Sequence, residues 1–428
     1  MDSSEEIHNS TLSIAAKARD VSMQLAELST VKKNKALKTL ANLLDHYQDD
    51  VVEANKKDLE NAEKKGLPRA HVNRLIFDKS KIKSRIISLQ KIAQLPDPVG
   101  KMEKMGVMEN GITYGRMRVP IGVILMIYEA RPHVTVNAGS FALKSGNAII
   151  LKGGSEAENC LDILSKLWEE SLQKSGISAD AVQVVTLSHE EVSDLLTRRD
   201  LIDLVIPRGG KKLIRTVCRQ SEIPVIKHFE GNCHVYIGRE ADKQKAVNII
   251  LDSKLLMPGV CNAAESLLID QSQKKLIPDL VEILQKNNIE VRGCSETLKL
   301  TSKAIPAKPD DYATEYLDTI YSLKLVQDVR EAAEHINNYG SGHTDAIVTD
   351  NYTDAQYFLS AVDSSVVLVN SSTMYCDGES LGMGAEIGIS TDKLHARGPM
   401  GLNELTSYKF ILRGNGQIMG DENQWMTS

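Results

Sequence analysis

The sequence predicts an α/β protein built on doubly wound parallel sheets, and three observations carry that prediction. From Val119 to about Phe229, apolar runs of strand length alternate with helical stretches. The alternation restarts at Cys233 and continues to about Asn370, which points to a second α/β domain. Ahead of both, residues 1–95 carry only helical spacing.

In the helical lead, Ser29-Thr30 is a cap, and Leu37, Leu40, Leu44 and Tyr47 recur at helical intervals. Gly66-Leu67-Pro68 is a break. A second amphipathic stretch runs to about Leu95, and Pro96-Asp97-Pro98 ends it. Residues 107–119 hold two short alternating runs around Asn110-Gly111, a hairpin signal. A hairpin that interrupts an α/β chain reads as an arm. VPIGVILMI, from Val119, is a buried strand, and Pro132–Lys144 is a helix. NAIILKG is the second strand, followed by a helix over Ala157–Ser175 that stops at Gly176. AVQVVTL, a helix over Glu190–Arg198, LIDLVIP, a helix over Lys211–Arg219 and the strand PVIKHF complete the first run. The second run starts with CHVYIG, a helix over Lys243–Lys254, a loop holding Cys261 and the strand SLLID. A helix over Lys274–Gln285 and strands near IEVRG, SLKLV, DAIVT and SVVLVN follow.

A chain of 428 residues is long enough for two or three domains with substantial cores. The net charge of −6, with both signs mixed along the chain, gives no electrostatic case for nucleic acid as a partner. A small anion would need a local basic site instead. The six cysteines are scattered without a Cys-x-x-Cys pair, which suits a reducing compartment and neither a disulfide scaffold nor a zinc site. No metal is expected. The acidic, polar residues 1–17 do not read as a secretory signal, and no run of about 18 apolar residues exists to span a membrane. The expectation is a soluble cytoplasmic protein.

The chemically informative segment is Met257-Pro258-Gly259-Val260-Cys261-Asn262-Ala263-Ala264-Glu265. A Pro/Gly turn between a helix and a strand can present a thiol to a cleft. The Cys261 backbone N–H can then face a developing oxyanion. A thiolate is a good nucleophile toward activated acyl groups. Cys160 and Cys218 sit on helices and read as core packing, as do Cys233, Cys294 and Cys376 with less support.

Several blocks resemble the γ-glutamyl phosphate reductase family, within the aldehyde dehydrogenase superfamily. The longest is VPIGVILMIYEARPHVTVNAGSFALKSGNAIILKGGSEA, residues 119–157. DLVIPRGGKKLIR (203–215), EGNCHVYI (230–237), MPGVCNAAE (257–265) and GAEIGISTDKLHARGPMGLNELTSYKF (384–410) agree with it, and the likeness spans about residues 110–412. The resemblance implies NADPH-dependent reduction of L-glutamate 5-phosphate to L-glutamate 5-semialdehyde, with release of phosphate, through a thioester on Cys261. It also implies an aldehyde dehydrogenase-like fold: a Rossmann-like cofactor domain over residues 1–105 and 120–230, and a catalytic domain over 231–375. A small β oligomerisation arm would take residues 106–119 and 405–428. Exposed strand edges on such an arm predict a homo-oligomer, a dimer or a dimer of dimers.

No G-x-G-x-x-G fingerprint is present, and by the resemblance the cofactor is held differently. Lys152 matches a lysine that could neutralise the ribose 2′-phosphate of NADPH, with Ser155 and Glu156 in the same motif. Arg208-Gly209-Gly210 falls between a strand and a helix, where backbone N–H groups can meet pyrophosphate or nicotinamide. Glu315 matches the glutamate that contacts the nicotinamide ribose in relatives. For the substrate, Arg131 lies just beyond a buried strand and is a candidate phosphate clamp. His395 and Arg397 could hold either anion, and Glu386 could meet the amino acid end. Each of these could equally be ordinary loop packing, and Asn137 reads as packing or capping. Oxidative aldehyde dehydrogenases carry a glutamate base where His228 falls by spacing, and an asparagine donor where Ala130 and Arg131 fall. The change suits a reductase, in which water must not attack the thioester.

Two rival functions stay open at this level. One is a CoA-acylating aldehyde dehydrogenase, which would share the thioester but exchange it with a thiol. The other is a catalytically silent partner of glutamate 5-kinase, although a kinase partnership is compatible with activity.

Overall fold

A computed structural model of the chain describes residues 3–227, 230–383 and 386–420. The chain divides into two compact units. Unit 1 comprises residues 1–209, 217–225 and 401–428, and unit 2 comprises 210–216 and 226–400.

Unit 1 opens with five helices: α1 (Ser3–Ala26), α2 (Thr30–His46), α3 (Gln48–Lys64), α4 (Arg69–Leu75) and α5 (Lys79–Gln94). Ser29 caps α2 by accepting the Lys32 N–H, and Asp78 caps α5 through the Lys81 N–H. Strands β1 (Met102–Val107) and β2 (Thr113–Pro120) form the hairpin around Gly111, whose φ of +85° needs glycine. Next come β3 (Val123–Tyr128), α6 (Pro132–Lys144), β4 (Ala148–Lys152), α7 (Glu158–Lys174), β5 (Val182–Val185), α8 (His189–Leu195), β6 (Leu204–Arg208) and α9 (Lys211–Gln220). The four strands are parallel in the order β5-β4-β3-β6, and β3 is buried along its whole length. Parallel strands covered on both faces read as continuous apolar runs, which is why β3 and β4 are legible. Gly139 lets α6 approach Trp168 of α7, whose indole N–H donates to the Thr135 carbonyl at 3.2 Å.

Unit 2 holds β7 (Cys233–Ile237), α10 (Lys243–Leu255), β8 (Ala264–Asp270), α11 (Ile277–Lys286), β9 (Glu290–Gly293), α12 (Ser295–Leu300) and β10 (Ile305–Pro306). It continues with β11 (Ile320–Val326), α13 (Val329–Tyr339), β12 (Thr344–Val348), α14 (Tyr352–Ala361), β13 (Val366–Val369), β14 (Gly388–Ser390) and β15 (Gly398–Met400). Seven strands make one parallel sheet in the order β10-β9-β11-β8-β7-β12-β13. β14 and β15 form a separate antiparallel ribbon. The chain then returns to unit 1 as β16 (Thr406–Arg413), which pairs antiparallel with β2 to give the sheet β1-β2-β16.

Two expected strands differ. The run from Val119 is not one strand: Val119 and Pro120 close β2, and β3 begins at Val123. Gly122 adopts φ +131° between them, and its N–H donates to Asn147 Oδ1 at 2.8 Å. PVIKHF contributes only an isolated bridge between Val205 and Val225, while His228 and Phe229 lie outside the described residues. Pro224 has no N–H for a ladder, and its carbonyl alone serves Val205 N–H at 2.9 Å. Among the described residues, no helix is long and apolar enough to cross a membrane.

Candidate functional site

Cys261 lies in the turn between α10 and β8 and is half-buried. The turn is held by backbone bonds from Val260 N–H to Met257 O at 3.4 Å and from Ala263 N–H to Val260 O at 3.1 Å. The buried Asn262 side chain donates to the carbonyls of Thr373, Met374 and Cys376 at 3.4, 3.3 and 3.2 Å. The Cys233 thiol donates to the Cys261 carbonyl at 3.2 Å. Burial pushes the Cys233 thiol well above its ordinary range and that of Cys376 up to about 12, so both keep their protons near neutrality. Cys261 is more exposed than either neighbour.

Gly231 packs directly on the backbone of this turn. A Cβ at that position would overlap the Cys261 carbonyl oxygen and stand 2.5 Å from its carbon and 2.6 Å from its Cα. Backbone cannot yield as a flexible side-chain end can. Gly231→Ala is therefore expected to destabilise unit 2 by about 1–3 kcal/mol and to lower kcat at least about tenfold. Urea unfolding read beside initial rates checks this, and a variant with native kcat would contradict it.

The Gly231 N–H donates to Glu315 Oε1 at 2.8 Å, so that carboxylate is tied to the segment under Cys261. Behind the turn, Lys254 of α10 and Glu265 of β8 form a fully buried pair at 2.6 Å. Glu265 also accepts the N–H of Leu317, a residue with φ +55°, at 3.2 Å. Burial pushes the Glu265 carboxyl up to about 7, against the lowering pull of Lys254. Sequence reasoning missed Gly231, Lys254, Asn262 and Glu265 as supports. Asn262 and Glu265 stand inside the quoted motif, but Lys254 carries no local signal.

Unit 1 carries the other candidates. Lys152 ends β4 and is half-buried. Burial pushes its ammonium below the ordinary lysine value, opposed by the charges of Glu156 and Glu129. Ser155 is exposed at the start of a short 3-10 turn, Ser155–Ala157. Glu156 Oε1 accepts the Ala130 N–H at 2.6 Å, and Ala130 adopts φ +39° between β3 and α6. A non-glycine residue in that region is strained, and Glu156 contributes to holding it. Arg208 ends β6 beside Tyr128, and its carbonyl accepts the Glu129 N–H at 3.1 Å. Arg131 stands at the N-cap of α6. The charges of Arg131 and Arg208 both bear on His133, so these two guanidiniums share one neighbourhood. Gly209 closes unit 1 at this point, and Gly210 opens unit 2, where its carbonyl accepts the Ile214 N–H of α9 at 3.2 Å.

The remaining candidates sit in unit 2, partly committed to local bonds. Glu386 Oε2 accepts the Gly378 N–H at 3.0 Å. Arg397 Nη2 donates to the Asp363 carboxylate at 2.8 Å and to its carbonyl at 2.9 Å. Lys393 pairs with the same carboxylate. His395 is exposed, with φ +67°. His228 lies outside the described residues. Among the described residues no group of three or more His, Cys, Asp or Glu is placed to hold a metal ion.

A half-buried thiol in a turn of one parallel α/β unit, together with a strand ending in lysine in another such unit, fits an oxidoreductase of the aldehyde dehydrogenase class. The sequence pattern of the aldehyde dehydrogenase family matches residues 3–293. A γ-glutamyl phosphate reductase of Thermodesulfovibrio yellowstonii is 46% identical over 415 residues, covering 96% of this chain and 99% of that protein. The crystal structure of γ-glutamyl phosphate reductase from Thermotoga maritima superposes with a TM-score of 0.93 at 42% identity, covering 96% of this chain and 100% of that one. A glyceraldehyde-3-phosphate dehydrogenase of Methanocaldococcus jannaschii, solved with NADP, shares the fold at 15% identity and a TM-score of 0.67, covering 95% of each chain. The chain belongs to the γ-glutamyl phosphate reductase family of aldehyde dehydrogenases.

Proposed function

We propose that the chain reduces L-glutamyl 5-phosphate to L-glutamate 5-semialdehyde with release of phosphate, the reductive step of proline biosynthesis, through a thioester on Cys261 and with NADPH as reductant. The observation that carries this reading is the half-buried Cys261 in a turn pinned by Asn262, Gly231 and the protonated Cys233. An acyl phosphate is already activated, so the Cys261 sulfur attacks its γ-carbonyl and expels phosphate. NADPH, when bound, supplies the hydride. The Cys261 backbone N–H stabilises the oxyanion, whose collapse then returns the thiolate and frees the aldehyde. Lys152 suits the ribose 2′-phosphate: its ammonium is half-buried at the end of β4, where burial outweighs the charges of Glu156 and Glu129. Ser155, Glu156, Arg208, Gly209, Gly210 and Glu315 complete the proposed cofactor set. Arg131 takes the phosphate, and Glu386, His395 and Arg397 are proposed as further substrate-binding residues.

Six free thiols suit a reducing cytoplasm. β16 is an edge strand with Tyr408, Phe410 and Leu412 exposed at alternate positions, which supports a homo-oligomer formed through the β1-β2-β16 sheet. A complex with glutamate 5-kinase is compatible with this reading.

Supplying glutamate semialdehyde, phosphate and NADP⁺ and following NADPH formation tests the proposal. Activity that needs CoA in place of phosphate would overturn it. Arg131→Ala is expected to raise the KM for phosphate about tenfold or more, and an unchanged phosphate dependence would remove Arg131 from its role.

A further inference from the structure

Unit 1 carries a second polar cluster that the reaction above leaves unused. His133 and Asn137 lie four residues apart on α6 and so share one face of the helix. α5 packs against α6 and brings Arg85 to the same region. Three polar atoms of these side chains are buried without a hydrogen-bond partner: Arg85 Nε, His133 Nδ1 and Asn137 Oδ1. Each side chain as a whole is part-exposed, so a ligand has a way to it. Orphans of this kind are uncommon and costly unless an occupant satisfies them.

The charges around the cluster are of one sign. Burial, and then the cations Arg85, Arg131, Lys81 and Arg208, push the His133 imidazole down to about 3, which keeps it neutral and able to accept a hydrogen bond at one nitrogen. The Lys81 ammonium is already bonded to the Ile76 carbonyl at 2.8 Å. Arg85 is a guanidinium with a spare donor whose charge bears on His133, while His133 and Asn137 carry spare acceptors on one face of α6. The guanidinium can take a carboxylate, and the two neutral acceptors can take N–H donors.

We propose that Arg85, His133 and Asn137 hold the α-amino acid end of the glutamyl substrate, Arg85 taking the α-carboxylate and the His133 and Asn137 acceptors the α-ammonium. The assignment rests on the reading of the substrate as glutamyl phosphate. Arg131 stands at the N-cap of α6, and its charge also bears on His133. The phosphate end and the amino acid end of one extended substrate are thus served from two stations on one helix.

The test uses the full-length enzyme in the phosphate-dependent oxidation of three aldehydes. They are glutamate semialdehyde, 4-aminobutanal, which lacks the carboxylate, and 5-oxopentanoate, which lacks the ammonium. Arg85→Met is expected to raise the KM for glutamate semialdehyde about tenfold or more and to leave that for 4-aminobutanal within about twofold. Asn137→Leu is expected to raise the KM for glutamate semialdehyde and leave that for 5-oxopentanoate in place. Should Arg85→Met not fold, Arg85→Lys is read in the same way, since a single ammonium does not replace the guanidinium fork. Variants with the wild-type KM for glutamate semialdehyde, or with equal losses on all three aldehydes, overturn the assignment. A wild type that makes no NADPH from glutamate semialdehyde and phosphate instead overturns the proposed function, so the two failures are distinguishable.

Discussion

Cys261→Ser is expected to cut phosphate-dependent NADPH formation by at least about 10³-fold while leaving the unfolding midpoint close to the wild type's. The exchange changes little in volume. It replaces a thiol with a hydroxyl, a group that ionises far less readily and is the weaker nucleophile. The supports of the turn remain, because Asn262 donates to carbonyls beyond it and the Cys233 thiol bonds the backbone oxygen of residue 261, not its side chain. Thiol labelling supplies a second measurement. Cys233 and Cys376 are buried and held protonated, so they should react slowly. Cys294 is the competitor to control for. Burial raises its thiol, but hydrogen bonds from Thr297 and nearby backbone N–H groups outweigh that and leave it lowered. A Cys294→Ser enzyme should keep its activity and still be inactivated by labelling. A Cys261→Ser enzyme that turned over at the wild-type rate would end the thioester reading.

The elements legible in the sequence are those whose signals are local. α6 shows its start in Pro132 at the first helical turn and its end in Gly146, at φ +77°. β3 and β4 show as unbroken apolar runs, because both faces of a parallel sheet are covered. The turn at Cys261 shows through Pro258 and Gly259. What stays hidden depends on partners far along the chain. Arg397 reads as an anion donor, and nothing nearby announces that Asp363, 34 residues upstream, also bonds its guanidinium. The strand at Val119 reads as continuous because nothing nearby announces that Asp203 and Asn147 will bond the backbone at Val123 and Gly122. Ribbon β14-β15 has only three residues a side, too few for any period to register.

Lys254→Met is expected to cost about 3–5 kcal/mol of stability near neutral pH, the usual result of stranding one member of a buried ion pair. Both side chains are fully buried. Lys254 also lies 5.0 Å from the centre of the Tyr321 ring, and the Tyr321 hydroxyl donates to the Ile250 carbonyl at 2.8 Å. The cost should depend on pH. Glu265 has a folded-state pKa of about 7, above its ordinary 4.5, so the native protein holds that proton more tightly than the unfolded chain does. The stability this group contributes is complete below about pH 4.5 and is lost as pH rises through about 7. Without Lys254 the largest offset to the burial of the carboxylate is gone, and the loss grows on the alkaline side. Lys254→Met should therefore be mildest in acid and most severe above neutrality. Lys254→Met with Glu265→Gln should recover most of the difference, because the glutamine can still accept the Leu317 N–H. Urea midpoints across pH for the three proteins check this, and a pH-independent loss would refute it. Residues 254 and 265 flank Cys261 on the two elements that define its turn, so the same variants should lose kcat together with stability.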